Sequence, residues 1–232
     1  GSNNEAQLGL RFQGGSSFWP VRANFTASAG DRVIQVAAGN AHSLVLTEAG
    51  SIYGWGLAQY YQLGYVPAFL YQLDPYPFSL LNYIWGKVTN IYVVADTSFV
   101  TSDRGRTYSW GVGAGYILGL NQTDNSPGPV KLNLTAVPDD YTVTYISASA
   151  FATTAYAIAN ETTLPPFDPV SPGTPATPGD QEPPPYSPSS PVLTPMAPST
   201  AVFTPFGAST TLAVPAKSIL VLLGLLAAVI LA

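Results

Sequence analysis

The 232-residue sequence contains no cysteine, which excludes a disulfide framework and any thiolate metal site while leaving the compartment open. Basic charge is nearly as scarce. Lysine and arginine number 8 against 13 acidic residues, a net charge of -5, so there is no basic footprint for DNA or RNA. Charged residues make up 9%, against roughly 25% in ordinary soluble domains, so solubility must lean on hydroxyls, backbone and glycans. Histidine occurs once, as His42. A Ser-His-Asp arrangement would have to use it, yet no serine lies in a G-x-S-x-G nucleophile elbow. Asp139 and Asp140 follow Pro138 and read as a turn, with no cleft in view for paired carboxylates. The stretch "GVGAG" at Gly111 lacks the lysine and following helix of a phosphate loop. Catalytic residues, a cofactor and a metal are therefore expected to be absent, and the chain is read as no enzyme.

What is present is an internal repeat. Gly1, Gly56 and Gly111 are spaced 55 residues apart, and so are Leu8, Leu63 and Leu118, and Gly9, Gly64 and Gly119. "VIQVAAGNAHSLVLTEAGSIYGWG" from Val33 aligns without a gap on "VTNIYVVADTSFVTSDRGRTYSWG" from Val88, setting Gly50 and Trp55 on Gly105 and Trp110. A half copy starts at Val143. Such periods outrank other sequence signals. Each copy reads as short strands: residues 33–38 and 43–47, separated by Gly39 and Asn40, then a third from Ser51 after a turn at Gly50. One aromatic-glycine signature per copy among short strands suits a propeller blade, with the tryptophans as blade-to-blade packing and His42 as a structural residue in a turn.

The copy at Val33, followed by "QLG", resembles a repeat of the regulator of chromosome condensation family. The resemblance covers residues 1 to about 160 and implies seven-bladed β-propellers. Within it Val94 and Thr97 stand where the first copy has Gly39 and His42, and Ser149 and Ala152 fill those places in the last. The fold expectation is all-β: a partial propeller over 1–160 (1–32 partial, 33–87, 88–142, 143–160 half), about three blades of seven. With Gly1 falling inside a repeat, the chain is expected to be the C-terminal part of a longer one.

Composition shifts after Asn160. Residues 161–209 are rich in Pro, Ser and Thr, which denies ladders their N–H donors and favours extended polyproline II: a disordered, O-glycosylated stalk. The end, 210–232, is expected to form a short apolar helix. Ser218 to Ala232 would span about 22 Å as a helix, against a hydrocarbon core of about 30 Å. Small residues Gly207, Ala208 and Ser209, a polar spacer and this tail fit a glycosylphosphatidylinositol signal, with a retained tail anchor as alternative. Four sequons, Asn24, Asn121, Asn133 and Asn160, fall in apparent connecting stretches and suggest N-glycosylation.

Together these read as a non-catalytic cell-surface recognition or scaffold propeller on the outer leaflet of the plasma membrane, binding a protein or glycan. The alternative is an intracellular exchange-factor-like signalling module on a tail-anchored segment.

Overall fold

The computed structural model describes residues 1–65, 67, 69–78, 81–134, 141–147, 155–161, 218–223 and 227–231. Two sheets repeat the same plan. The first joins β1 (Val33–Ala38), β2 (His42–Thr47), β3 (Ile52–Leu57) and β4 (Tyr71–Pro77) in the order β1-β2-β3-β4. The second joins β5 (Val88–Val94), β6 (Thr97–Ser102), β7 (Thr107–Gly111) and β8 (Ser126–Lys131) in the same way. All neighbours run antiparallel, as short hairpin connections require. Short 3-10 turns at Leu81–Tyr83 and Ala114–Tyr116 are the helical elements among the described residues.

Even the irregularities recur. The β1–β2 ladder slips between Val33 and Gln35, and the β5–β6 ladder between Val88 and Asn90, one repeat later. The next slips fall between Gly54 and Gly56 and between Ser109 and Gly111. These bulges account for the glycine after each tryptophan. Gly56 has φ +99° and Gly111 φ +101°, and a Cβ on Gly56 would stand 2.3 Å from the Ala41 carbonyl oxygen. The tight turn after the first strand survives the loss of its glycine. Ala38 pairs with Ser43, and Val93 pairs with Ser98, so the register is unchanged; Ala95, at φ +50°, supplies the reversal.

The core lies between sheets. Ile91 of β5 packs toward the first sheet with Leu44, Leu46, Ile52, Leu63, Phe78, Val100 and Trp110. Its neighbour Tyr92 points the opposite way, into a cluster with Val94, Phe99, Ile117, Val143 and Ile146. This period-two alternation buries both faces of the middle sheet, and each fully buried large apolar side chain contributes roughly 1.5–3 kcal/mol.

The third sheet corrects two expectations. β9 (Tyr141–Ser147) and β10 (Ala155–Glu161) belong to the half copy, but the tail adds to them as strands rather than a helix. β11 (Ser218–Leu223) pairs with β10, and β12 (Ala227–Leu231) with β11, in the order β12-β11-β10-β9. A short Leu/Val/Ile run fits a strand as well as a helix, and here an available ladder on β10 decides between them. No helix among the described residues is long and apolar enough to cross a membrane. The stalk from 162, and with it Gly207, Ala208 and Ser209, lies outside the described residues. Asn160 is also corrected. It sits inside β10, opposite Thr142 on one side and Ser218 on the other, not in a connection.

Candidate functional site

The repeat signature builds the joints between consecutive units. Trp55 Nε1 donates to the Gln7 carbonyl at 2.9 Å, and Ser43 Oγ donates to the same oxygen at 3.0 Å. One repeat on, Trp110 Nε1 and Ser98 Oγ donate to the Gln62 carbonyl at 2.9 and 2.8 Å. Each accepting carbonyl lies in a loop closed by matching backbone bonds, Gly9 N–H to Ala6 and Gly64 N–H to Tyr61, with Gly119 N–H to Tyr116 in the third. Leu63 and Leu118 in those loops are buried, while Leu8 is half-buried and Gly1 exposed. Trp110 is fully buried and packs on Phe78 at 4.9 Å between centroids, joining one sheet to the next. Gly50 and Gly105 occupy the two equivalent hairpin turns at φ +89° and +71°.

His42 opens β2 instead of lying in a turn. It is fully buried, with Nε2 at 2.9 Å from Ser98 Oγ of the next sheet. Because that hydroxyl gives its proton to Gln62, it accepts from His42, which fixes the Nε2–H tautomer. Nδ1 is then a bare nitrogen, and it has no partner among the described residues. Burial pushes the imidazole down to about 3, so it is a neutral interior group without access to a substrate. Gly39, two residues before Ala41, meets the Ala95 carbonyl so closely that a Cβ would come to 2.3 Å.

A further joint was not visible in the sequence. The Gln35 amide spans to β5, donating to the Ile91 carbonyl at 2.8 Å and accepting the Ile91 N–H at 2.9 Å. It pairs the free edge of that strand as a neighbouring backbone would. Asn90, its repeat equivalent, is one methylene shorter and bonds Thr89 and Thr101 instead.

The outer surface is where the molecule departs from a closed interior. Phe18 is 94% exposed, Trp19 81% and Phe69 81%, with Phe12, Leu70 and Tyr76 about half exposed. They lie on two segments, 12–19 and 69–76, that meet where Arg11 N–H bonds the Leu73 carbonyl and the Arg11 guanidinium pairs with Asp74 at 3.4 Å. The Asn24 side-chain oxygen accepts from the Arg11 guanidinium, Nη2 at 2.9 Å. Asn24, Asn121 and Asn133 are exposed, and Asn160 is partly covered. Among the described residues, no group of three or more His, Asp or Glu side chains is placed to hold a metal ion. The sequence signal for the aromatic strip was its content of Phe and Trp in a stretch without strand periodicity.

Successive four-stranded antiparallel sheets, packed face to face through recurring tryptophans, define β-propeller blades. The family model for the regulator of chromosome condensation (RCC1) repeat matches residues 1–46 and 104–156, and a second RCC1 repeat model matches 33–62. The chain belongs to the RCC1 repeat family. It is similar to the probable E3 ubiquitin-protein ligase HERC4 of Rattus norvegicus, 32% identical over 133 residues, which is 57% of this chain and 12% of that protein. It is also similar to the human RCC1-like G exchanging factor-like protein, 33% identical over 103 residues, 44% of this chain and 22% of that one. The chain therefore spans less than a quarter of the length of either relative. Among solved structures, Prp20p from Saccharomyces cerevisiae shares the fold at a TM-score of 0.54 and 20% identity, over 63% of this chain and 36% of that one.

Proposed function

We propose that this chain is a recognition module in which propeller blades present an aromatic strip to a protein partner and perform no chemistry themselves. The carrying observation is the exposure of Phe18, Trp19 and Phe69 beside a fully internal His42. Aromatic side chains supply large contact area at low entropic cost, and patches of them on a rigid scaffold mark interaction surfaces. Prp20p, which shares the fold, is described with binding to Gsp1p and histones, both proteins. The reading extends to an address at the cell surface, supported by exposed sequons at Asn24, Asn121 and Asn133 and by the anchor-like pattern after Gly207. A tail removed on anchoring would leave β10 as the edge of its sheet.

A second reading, exchange-factor-like signalling from an intracellular position, is favoured by the likeness to the RCC1-like G exchanging factor-like protein. One experiment separates them. Intact cells carrying the protein are treated with a membrane-impermeant cross-linker, and the purified protein is assayed for nucleotide release from a panel of small GTPases. A cross-linked protein complex that disappears when Phe18, Trp19 and Phe69 are replaced by serine, with no accelerated release, is the expected result. Protection of the protein from the cross-linker together with accelerated release overturns the first reading in favour of the second.

A further inference from the structure

The hairpin turns of the first two blades share a backbone but not a surface. Gly50 N–H bonds the Thr47 carbonyl at 2.9 Å, and Gly105 N–H bonds Ser102 at 3.0 Å. In the first blade the residues around this turn are small: Gly30, Ala49 and Ser51. One repeat later the same places hold Trp85, Arg104 and Arg106. Since the small residues already make this turn, the fold has no need of the large ones.

The three side chains come together. The guanidinium carbons of Arg104 and Arg106 each lie 5.4 Å from the Trp85 ring centroid. The Trp85 backbone N–H donates to the hydroxyl of buried Tyr108 at 2.9 Å, which holds the Trp85 main chain at the base of the turn. Lys87 follows two residues after Trp85, and its side chain lies against Gly50 of the first turn. Among the described residues the nearby acids are Asp103, Asp31 and Glu48. Asp103 accepts the Lys87 backbone N–H at 2.9 Å, Asp31 accepts the Ala49 N–H at 2.9 Å, and Glu48 pairs with Arg32 at 3.0 Å. Lys87 acts electrostatically on both Asp31 and Glu48. Neither Arg104 nor Arg106 has a carboxylate partner among the described residues, and two shielded donors of the cluster, Arg106 Nε and Trp85 Nε1, have no acceptor among them.

We infer that Trp85, Arg104 and Arg106 form a binding site for carboxylate side chains of an acidic peptide segment, on a second surface of the recognition module. Guanidiniums stacked on indole keep their planar forks ordered while leaving N–H groups free, the state that bidentate carboxylate binding requires. The flanking Asp103 limits the site to a few carboxylates and disfavours polyanions of high charge density. The inference extends the binding-module reading but does not depend on the aromatic strip.

The test is fluorescence anisotropy with the whole chain and a fluorescein-labelled hexaglutamate peptide at low salt, with hexalysine, a phosphoserine peptide and inorganic phosphate as competitors or alternatives. Binding should weaken at least tenfold in R104Q/R106Q and severalfold in R104K/R106K, which keeps charge but loses the fork. R22Q, an exposed arginine elsewhere, should bind as wild type, as should the Phe18/Trp19/Phe69 serine variant. Matching thermal transitions establish that the variants fold; should R104Q/R106Q fail to fold, the lysine variant carries the test. The inference is overturned if hexaglutamate does not bind at millimolar concentration, or if R22Q weakens it as much as R104Q/R106Q. Tighter binding of inorganic phosphate or the phosphoserine peptide overturns the carboxylate assignment in favour of phosphate.

Discussion

Acid should loosen this protein through its one histidine. His42 is neutral in the fold, with burial holding it at about 3, whereas an imidazole in an unfolded chain titrates near 6.5. Between those values the unfolded state binds a proton that the folded state refuses. The contribution is therefore fully present above pH 6.5 and is lost as pH falls toward 3. At about 1.4 kcal/mol per pH unit, the loss amounts to about 2 kcal/mol at pH 5 and approaches ~5 kcal/mol near pH 3. The physical cost is specific: a second proton would sit on Nδ1, which has no acceptor among the described residues. His42→Thr installs the residue found at the equivalent place in the next blade, Thr97, which is also buried. Urea unfolding of both proteins at pH 7 and pH 5 isolates the effect. The stability difference between wild type and variant should shift by about 2 kcal/mol against wild type on going to pH 5. As the sole histidine, His42 also gives an unambiguous NMR signal, which should stay neutral well below pH 5. Equal acid sensitivity of the two proteins, or titration of that signal near 6.5, would refute the reasoning.

Three further outcomes are expected. Trp110→Ala should cost about 3–5 kcal/mol in denaturant unfolding, whereas Trp110→Phe should cost less, because Ser98 still serves the Gln62 carbonyl. Gln35→Ala should leave the Ile91 edge groups uncapped and destabilise by about 1–3 kcal/mol, with hydrogen exchange at the Ile91 amide accelerating most. In protein from a secretory expression host, enzymatic deglycosylation with peptide mass spectrometry should find glycans at exposed Asn24, Asn121 and Asn133 more often than at Asn160, whose β10 ladder crowds the acceptor.

Much of the fold was legible because a repeat announces itself twice. The spacing of Trp55 and Trp110 identified the blades, and the β-branched and apolar run 33–38, bounded by the turn residues Gly39 and Asn40, gave β1 to the residue. The outer strands were not legible. β4 and β8 carry Pro75 and Pro127, Pro129, which a sheet tolerates only at an edge, and their alternation is weak. The tail was ambiguous for a physical reason: a nearly all-apolar run of fifteen residues satisfies a helix or a hairpin alone, and only the unpaired side of β10 discriminates. His42 could be assigned a structural role from its replacement by Thr97, but its partner Ser98 could not be read, since blade packing sets that contact. The Trp85 cluster was open to the same comparison. Gly30 stands one repeat earlier, and a large residue replacing a small one at a turn marks a surface shaped by something other than folding.

The proposed protein-binding surface is the exposed aromatic residues beside β4. It is tested most directly by placing a photo-activatable phenylalanine at Phe18 or Phe69, and at exposed Thr123 as a control, in cells that make the protein. One discrete cross-linked adduct is expected from both positions, identical in the partner identified by mass spectrometry and missing from the control. Adducts that are absent at the strip, or that match those from Thr123, would contradict it.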